Sequence, residues 1–129
     1  VCYGYGIEEN INWKKTLGNN WTEYEKIFPS INKSNINQVS LEFSKSNVSP
    51  ELMLLLPDKE IMVGVVTVVS DILETPQNVE NNIYSALKYI DHERLIPSSN
   101  CGMAPLSEEI AIAKIEALGK GTALVNRSN

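Results

Sequence analysis

Two cysteines and one glutamate are the residues of this chain whose types and spacing best suit chemistry. Cys2 and Cys101 lie towards opposite ends, each beside turn sequence containing glycine, and Glu42 closes an apolar strand between them. Zinc takes thiolate, imidazole and carboxylate donors in a tetrahedron, and a catalytic zinc keeps one position open for water or substrate. If each donor sits at the C-terminal tip of a different strand of a parallel sheet, Cys2, Glu42 and Cys101 are three ligands of one such ion. Spacing alone leaves other readings open. There is no CxxC pair and no HxxxH, and two distant cysteines are as compatible with buried thiols or a disulfide. A lone Glu42 is equally a solvated strand-end carboxylate, and Cys101 a small core hydrophobe.

The elements that must position these residues follow a repeating order of strand, loop and helix. Trp21 to Phe28 carries a short helical pattern that Pro29 is expected to stop. Gln38 to Phe43 alternates, with Val39, Leu41 and Phe43 on one face and Glu42 near the C-terminal end. Pro50 to Leu56 reads as a short helix. Ile61 to Val68 is a nearly continuous β-branched run, as in a strand covered on both faces of a parallel sheet. Thr75-Pro76 supplies an N-cap and first-turn proline, and Val79, Ile83, Ala86, Leu87 and Ile90 form one apolar stripe behind it. Arg94 to Ser98 is a short strand, and Asn100-Cys101-Gly102 is expected to be an exposed turn at its end. The final helix starts at Pro105 or Ser107, with Ile110, Ala113, Ile115 and Leu118 inward and Gly119 and Gly121 near its stop.

Strands alternating with helices predict βαβ units and a parallel sheet. Three strand–helix units are too few to close an eight-stranded β/α (TIM) barrel, which takes about 250 residues. The fold expected is therefore α/β, the C-terminal part of such a barrel, with residues 1–129 as a single partial domain whose opening segment continues something already begun. Both sheet edges are then open, and open edges invite pairing with another chain.

Composition narrows the partners. The 129 residues are 43% apolar and 21% charged, the balance of a globular domain. A net charge of −5 with scattered Lys and Arg gives no surface for neutralising phosphates, so no nucleic-acid partner is expected. The longest apolar run, Ile61 to Val69, falls well short of the roughly 20 residues of a membrane helix, and no charged-then-apolar leader opens the chain. A cytoplasmic, reducing compartment is the expectation. The Asn-x-Ser/Thr triplets at Asn20, Asn32, Asn47 and Asn126 then read as chance matches. His92, the only histidine, falls on a helix-to-strand loop, the stability face of a barrel, and is expected at the surface. Trp13, Trp21, Tyr3 and Tyr5 are expected to pack rather than to stack bases, because no basic residues interleave with the tyrosines.

Four segments together resemble the C-terminal catalytic domain of cobalamin-independent methionine synthase and its shorter relatives. They are Val1-Cys2-Tyr3-Gly4-Tyr5-Gly6, Val39-Ser40-Leu41-Glu42-Phe43-Ser44, Gly64-Val65-Val66 followed by Glu74-Thr75-Pro76, and Ser99-Asn100-Cys101-Gly102-Met103. The resemblance implies a methyltransferase of methionine biosynthesis, of the 5-methyltetrahydropteroyltriglutamate–homocysteine S-methyltransferase kind. Its zinc is held by a His-x-Cys pair, a Glu and a late Cys. Cys2, Glu42 and Cys101 match the last three, and the histidine position falls just before Val1. A thiol titrates near pH 8.5 in water, and coordination to zinc deprotonates it, so the ion generates a thiolate nucleophile from homocysteine.

The chain departs from the pattern where the folate-dependent branch tends to carry an acidic residue and a histidine on a strand, here Thr67 and Val69. Without that proton donor, a corrinoid protein as methyl donor in place of a folate, or alkyl transfer to a coenzyme M-like thiol, stays open, as does a non-catalytic truncated barrel module. Amino-acid and folate contacts from earlier strands are not in this chain, so the chain alone is expected to be inactive.

Overall fold

A computed structural model describes Gly4, residues 8–18 and residues 22–128. Its elements, in order, are α1 (Glu8–Thr16), α2 (Glu23–Asn32), β1 (Gln38–Glu42), a 3₁₀ helix (Pro50–Leu55), β2 (Glu60–Val66), α3 (Pro76–Ala86), a one-turn 3₁₀ helix (His92–Arg94), β3 (Leu95–Ser99) and α4 (Glu108–Ser128). The three strands form one parallel sheet in the order β1-β2-β3. Glu42 pairs with Gly64, and Gly64 pairs with Ser98. Parallel pairing puts all three C-terminal tips at one end of the sheet, as the alternation of strands and helices predicts.

β2 is the central strand, and its sequence shows it. Ile61, Val63, Val65 and Val66 are fully buried, because helices and loops cover both faces of a middle parallel strand. The core continues through Val39 and Leu41 of β1, Val79, Ile83 and Ala86 of α3, and Tyr24 and Phe28 of α2. Thr75 caps α3 as expected: its side chain accepts from the Asn78 N–H, and the Asn78 side chain accepts from the Thr75 N–H. At the opposite end of the sheet from the strand tips, Arg94 donates to the carbonyls of Leu56 and Lys59, both at 3.0 Å. His92 beside it is exposed, as expected of the stability face.

Several elements differ from the sequence expectation, each for a physical reason. Pro29 does not stop its helix: α2 runs on to Asn32. Proline removes one backbone hydrogen bond, but Tyr24 and Phe28 before it and Ile31 after it all pack against the core, which holds both sides in place. Pro50–Leu55 is a 3₁₀ rather than an α-helix, because six residues between a proline and a strand close only i→i+3 bonds, such as Leu56 N–H to Met53 O at 3.1 Å. α1 was not foreseen; none of its residues is buried, so its sequence has no apolar stripe to betray it. Trp13 lies on this helix and is 45% exposed.

α4 departs most. It starts as predicted, with the Ser107 hydroxyl accepting from the Ile110 N–H at 3.3 Å, but it continues through Gly119 and Gly121 to Ser128. Gly121 marks a crossing point instead of a stop. A Cβ there would lie 2.5 Å from Val79 Cβ and 2.7 Å from the Pro76 carbonyl, so only glycine lets α4 approach α3 this closely. The inward face is Lys114, Ala117, Gly121 and Val125, while Ile115, expected inward, is 58% exposed. A buried lysine on that face broke the hydrophobic pattern from which the stripe was read.

Candidate functional site

Glu42 is the last residue of β1 and has no exposed surface. The hydroxyl of Tyr24, whose ring stacks on Phe28 with centroids 5.3 Å apart, donates to Glu42 Oε1 at 3.3 Å. A carboxylate withdrawn fully from water is costly unless hydrogen-bonded or matched by a cation, so the solvated strand-end reading of Glu42 does not hold. Alternation along β1 could not reveal this burial, because Glu42 lies on the face opposite Leu41, which another layer also covers.

Cys101 follows β3 by two residues and is half-buried, in a turn where Ser99 Oγ donates to the Cys101 carbonyl at 2.8 Å. The residue between them is the surprise. Asn100, expected in an exposed turn, is only 2% exposed and spans the sheet. Its N–H donates to the Val66 carbonyl at 2.9 Å, its side-chain oxygen accepts from the Phe43 N–H at 3.0 Å, and its Nδ2 donates to the Ser44 carbonyl at 2.7 Å. Asn100 thereby ties the tip of β3 across β2 to the residues directly after Glu42. A second amide, Asn82 of α3, donates to the Val65 carbonyl at 2.9 Å and to Ser44 Oγ at 3.3 Å, holding the same tips from the helix side.

Of the three ligands expected, the structure therefore places Glu42 and Cys101 at one end of one sheet, on neighbouring segments. Cys2 lies outside the described residues, as do Tyr3, Tyr5 and Trp21. Among the described residues, no group of three or more His, Cys, Asp or Glu side chains is clustered for a metal. The donors present nevertheless suit zinc: a thiol and a buried carboxylate at the open end of a parallel sheet are the soft and hard ligand types that this borderline ion accepts.

The loop after β2 borders the same end. Thr67 and Val69, expected on a strand, lie beyond its last residue, Val66. Thr67 is buried, and its N–H donates to Glu74 Oε1 at 2.9 Å. Val69 is 57% exposed and offers no acid or base. Glu74 in turn is paired with Lys114 at 2.8 Å, and Lys114 Nζ also donates to the Ile72 carbonyl at 2.7 Å. Sequence reasoning missed this anchor. Its one signal was a lysine placed among the apolar positions of α4.

No helix among the described residues is long and apolar enough to cross a membrane. The profile of the family described as cobalamin-independent synthase, catalytic domain, matches residues 20–122. Methionine synthase from Sulfurisphaera tokodaii is 32% identical over 117 residues, which are 91% of this chain and 35% of that protein. Methionine synthase from Saccharolobus islandicus is 31% identical over 119 residues, 91% of this chain and 36% of that protein. Among solved structures, a B12-independent methionine synthase from Shewanella sp. W3-18-1 in complex with selenomethionine superposes with a TM-score of 0.92 and 44% identity. That match covers 99% of this chain and 38% of the other. The chain thus spans about a third of the length of the relatives it matches, and its three-stranded parallel sheet corresponds to part of a β/α barrel.

Proposed function

Because the chain belongs to the cobalamin-independent synthase catalytic-domain family, we propose that it is the C-terminal strand–helix part of a zinc-dependent methyltransferase barrel that methylates the sulfur of homocysteine. The supporting observation is the fully buried Glu42 at a strand tip, tied through Asn100 to the turn that bears Cys101. In this reading residues 1–129 are one partial domain, and Cys2, Glu42 and Cys101 are zinc ligands. The protein acts in the cytoplasm.

When bound, zinc supplies a Lewis acid that favours the thiolate form of a coordinated thiol. The chain's own residues prepare for that. Tyr24 orients the Glu42 carboxylate through its hydroxyl. The Ser99 hydroxyl fixes the Cys101 backbone. Leu73 and Ile72 expose apolar surface on the loop that follows β2.

The methyl donor is a folate or a corrinoid. Val69 at the loop position is one observation on the corrinoid side, since its side chain carries no proton for a departing folate nitrogen. The test of the core reading is metal content. The full natural polypeptide should hold about one zinc per chain, and Cys101→Ser should lose it. Undiminished zinc in that variant would remove the metal assignment.

A further inference from the structure

Asn100 joins the backbone on both sides of the site, from the tip of β3 to the residues that follow Glu42. We propose that Asn100 is a positioning residue that sets the separation of the Glu42 carboxylate and the Cys101 sulfur, and with it the affinity and geometry of the metal site. This inference rests on the zinc reading above.

Three observations converge on it. The strand register slips between Gly64 and Val66, where Gly64 pairs with Ser98 and Val66 with Ser99. After that irregularity the Asn100 N–H still pairs with Val66 O, so β3 stays bound to β2 while its next side chain turns towards β1. The path of that side chain crosses Gly64. A Cβ on Gly64 would lie 2.3 Å from Asn100 Oδ1 and 2.6 Å from Asn100 Cα, so the central strand carries glycine where the amide passes. At the far side the amide makes one accepted and one donated bond, to Phe43 N–H and Ser44 O. Only a carboxamide offers both in one planar group of this size. Aspartate would keep the acceptor and set a carboxylate oxygen against the Ser44 carbonyl; leucine would keep neither bond.

Two of the expected ligands are one residue away from this bridge, Glu42 before Phe43 and Cys101 after Asn100. A shift in the bridge acts on the backbone next to both donors at once. The surroundings of a metal's ligands commonly change affinity by about 10- to 100-fold when altered.

The experiment measures zinc affinity by chelator competition, and the visible spectrum of the cobalt(II)-substituted protein, in the full natural polypeptide. Wild type is compared with Asn100→Leu, Asn100→Asp, Cys101→Ser and Ile83→Val, a core truncation remote from the strand tips. Folding of each metal-free variant is checked by circular dichroism, with Asn100→Ser as the milder replacement if the leucine variant is unfolded. Folded Asn100 variants should bind zinc at least about tenfold more weakly and show an altered cobalt spectrum, while Ile83→Val loses stability with wild-type affinity and spectrum. Wild-type affinity and spectrum in folded Asn100 variants, with zinc lost in Cys101→Ser, overturn the positioning role and leave the zinc reading standing. Zinc retained in Cys101→Ser overturns both. An equal loss of affinity in Ile83→Val overturns the positioning role by showing that general loosening is enough.

Discussion

Lys114 of α4 and Glu74, just before α3, form an ion pair of 2.8 Å in which the lysine side chain is wholly buried and the glutamate nearly so. The pair is hydrogen-bonded further on both sides, to the Ile72 carbonyl and the Thr67 N–H, so it pins both ends of the loop that follows β2. Removing one partner of a buried pair strands the other charge and typically costs about 3–5 kcal/mol. Lys114→Met should therefore destabilise the protein by that order. Adding Glu74→Gln, which keeps an acceptor for Thr67, should restore part of the loss. Urea unfolding of the two single variants and the double variant checks this; costs that simply add would show that the two side chains are not coupled.

The two glycines of α4 should respond in opposite directions to alanine. Gly119 has open space where a Cβ would go, so Gly119→Ala should stabilise by roughly 0.5–1 kcal/mol through helix propensity alone. Gly121→Ala must push α4 away from Val79 and Pro76 and should destabilise by about 1–3 kcal/mol despite the same gain in propensity. Thermal midpoints that move the same way for both would refute the close-crossing account.

Tyr24→Phe removes the hydroxyl that donates to Glu42 Oε1 and leaves the ring's stacking on Phe28 in place. The expected cost in stability is about 1 kcal/mol. If Glu42 is a zinc ligand, the cost in zinc affinity is larger, on the order of 10-fold. Parallel denaturation and zinc-competition measurements separate the two, and unchanged zinc affinity counts against Glu42 as a ligand.

Glu51 gives a pH-dependent prediction. Its carboxyl is held below the ordinary glutamate range, chiefly by the Ser49 hydroxyl, which donates to it, with further help from its own backbone and from Tyr89. The folded state thus favours the ionised form. Its small contribution to stability is present at neutral pH, above the unfolded-state value, and is lost as pH falls through the lowered folded-state value. Ser49→Ala should move the Glu51 titration upward in a carbon-13 NMR experiment; an unmoved curve would rule out the hydroxyl as the cause.

Studied by itself, the 129-residue chain should self-associate, because among the described residues β1 and β3 each leave an outer edge in the three-stranded sheet. Sedimentation velocity over a range of concentrations checks it. A strictly monomeric profile at high concentration goes against edge pairing.

How much of this was legible beforehand depended on which force fixed each residue. β2 and α3 were readable because burial on two faces demands an unbroken β-branched run, and a proline-led helix demands a cap, Thr75. Glu42 and Cys101 were readable as donor types at strand tips. Asn100 was not, because a buried bridging amide and an exposed turn amide are the same letter in the same Asn-x-Gly context. Ile115 was assigned to the wrong face of α4 for a related reason: the pairing of Lys114 with Glu74, distant in sequence, outweighed the preference of isoleucine for the interior. Pro29 was given a local meaning that packing on both sides overrode.

The sheet's strand order is identical to its order in the chain. A polypeptide leaving the ribosome therefore adds each strand to an edge already built, with no need to insert one between two others. Of the described elements, α4 is synthesised last, so until it emerges Glu74 waits without its lysine, and the loop beside the strand tips is the final part of this unit to be locked.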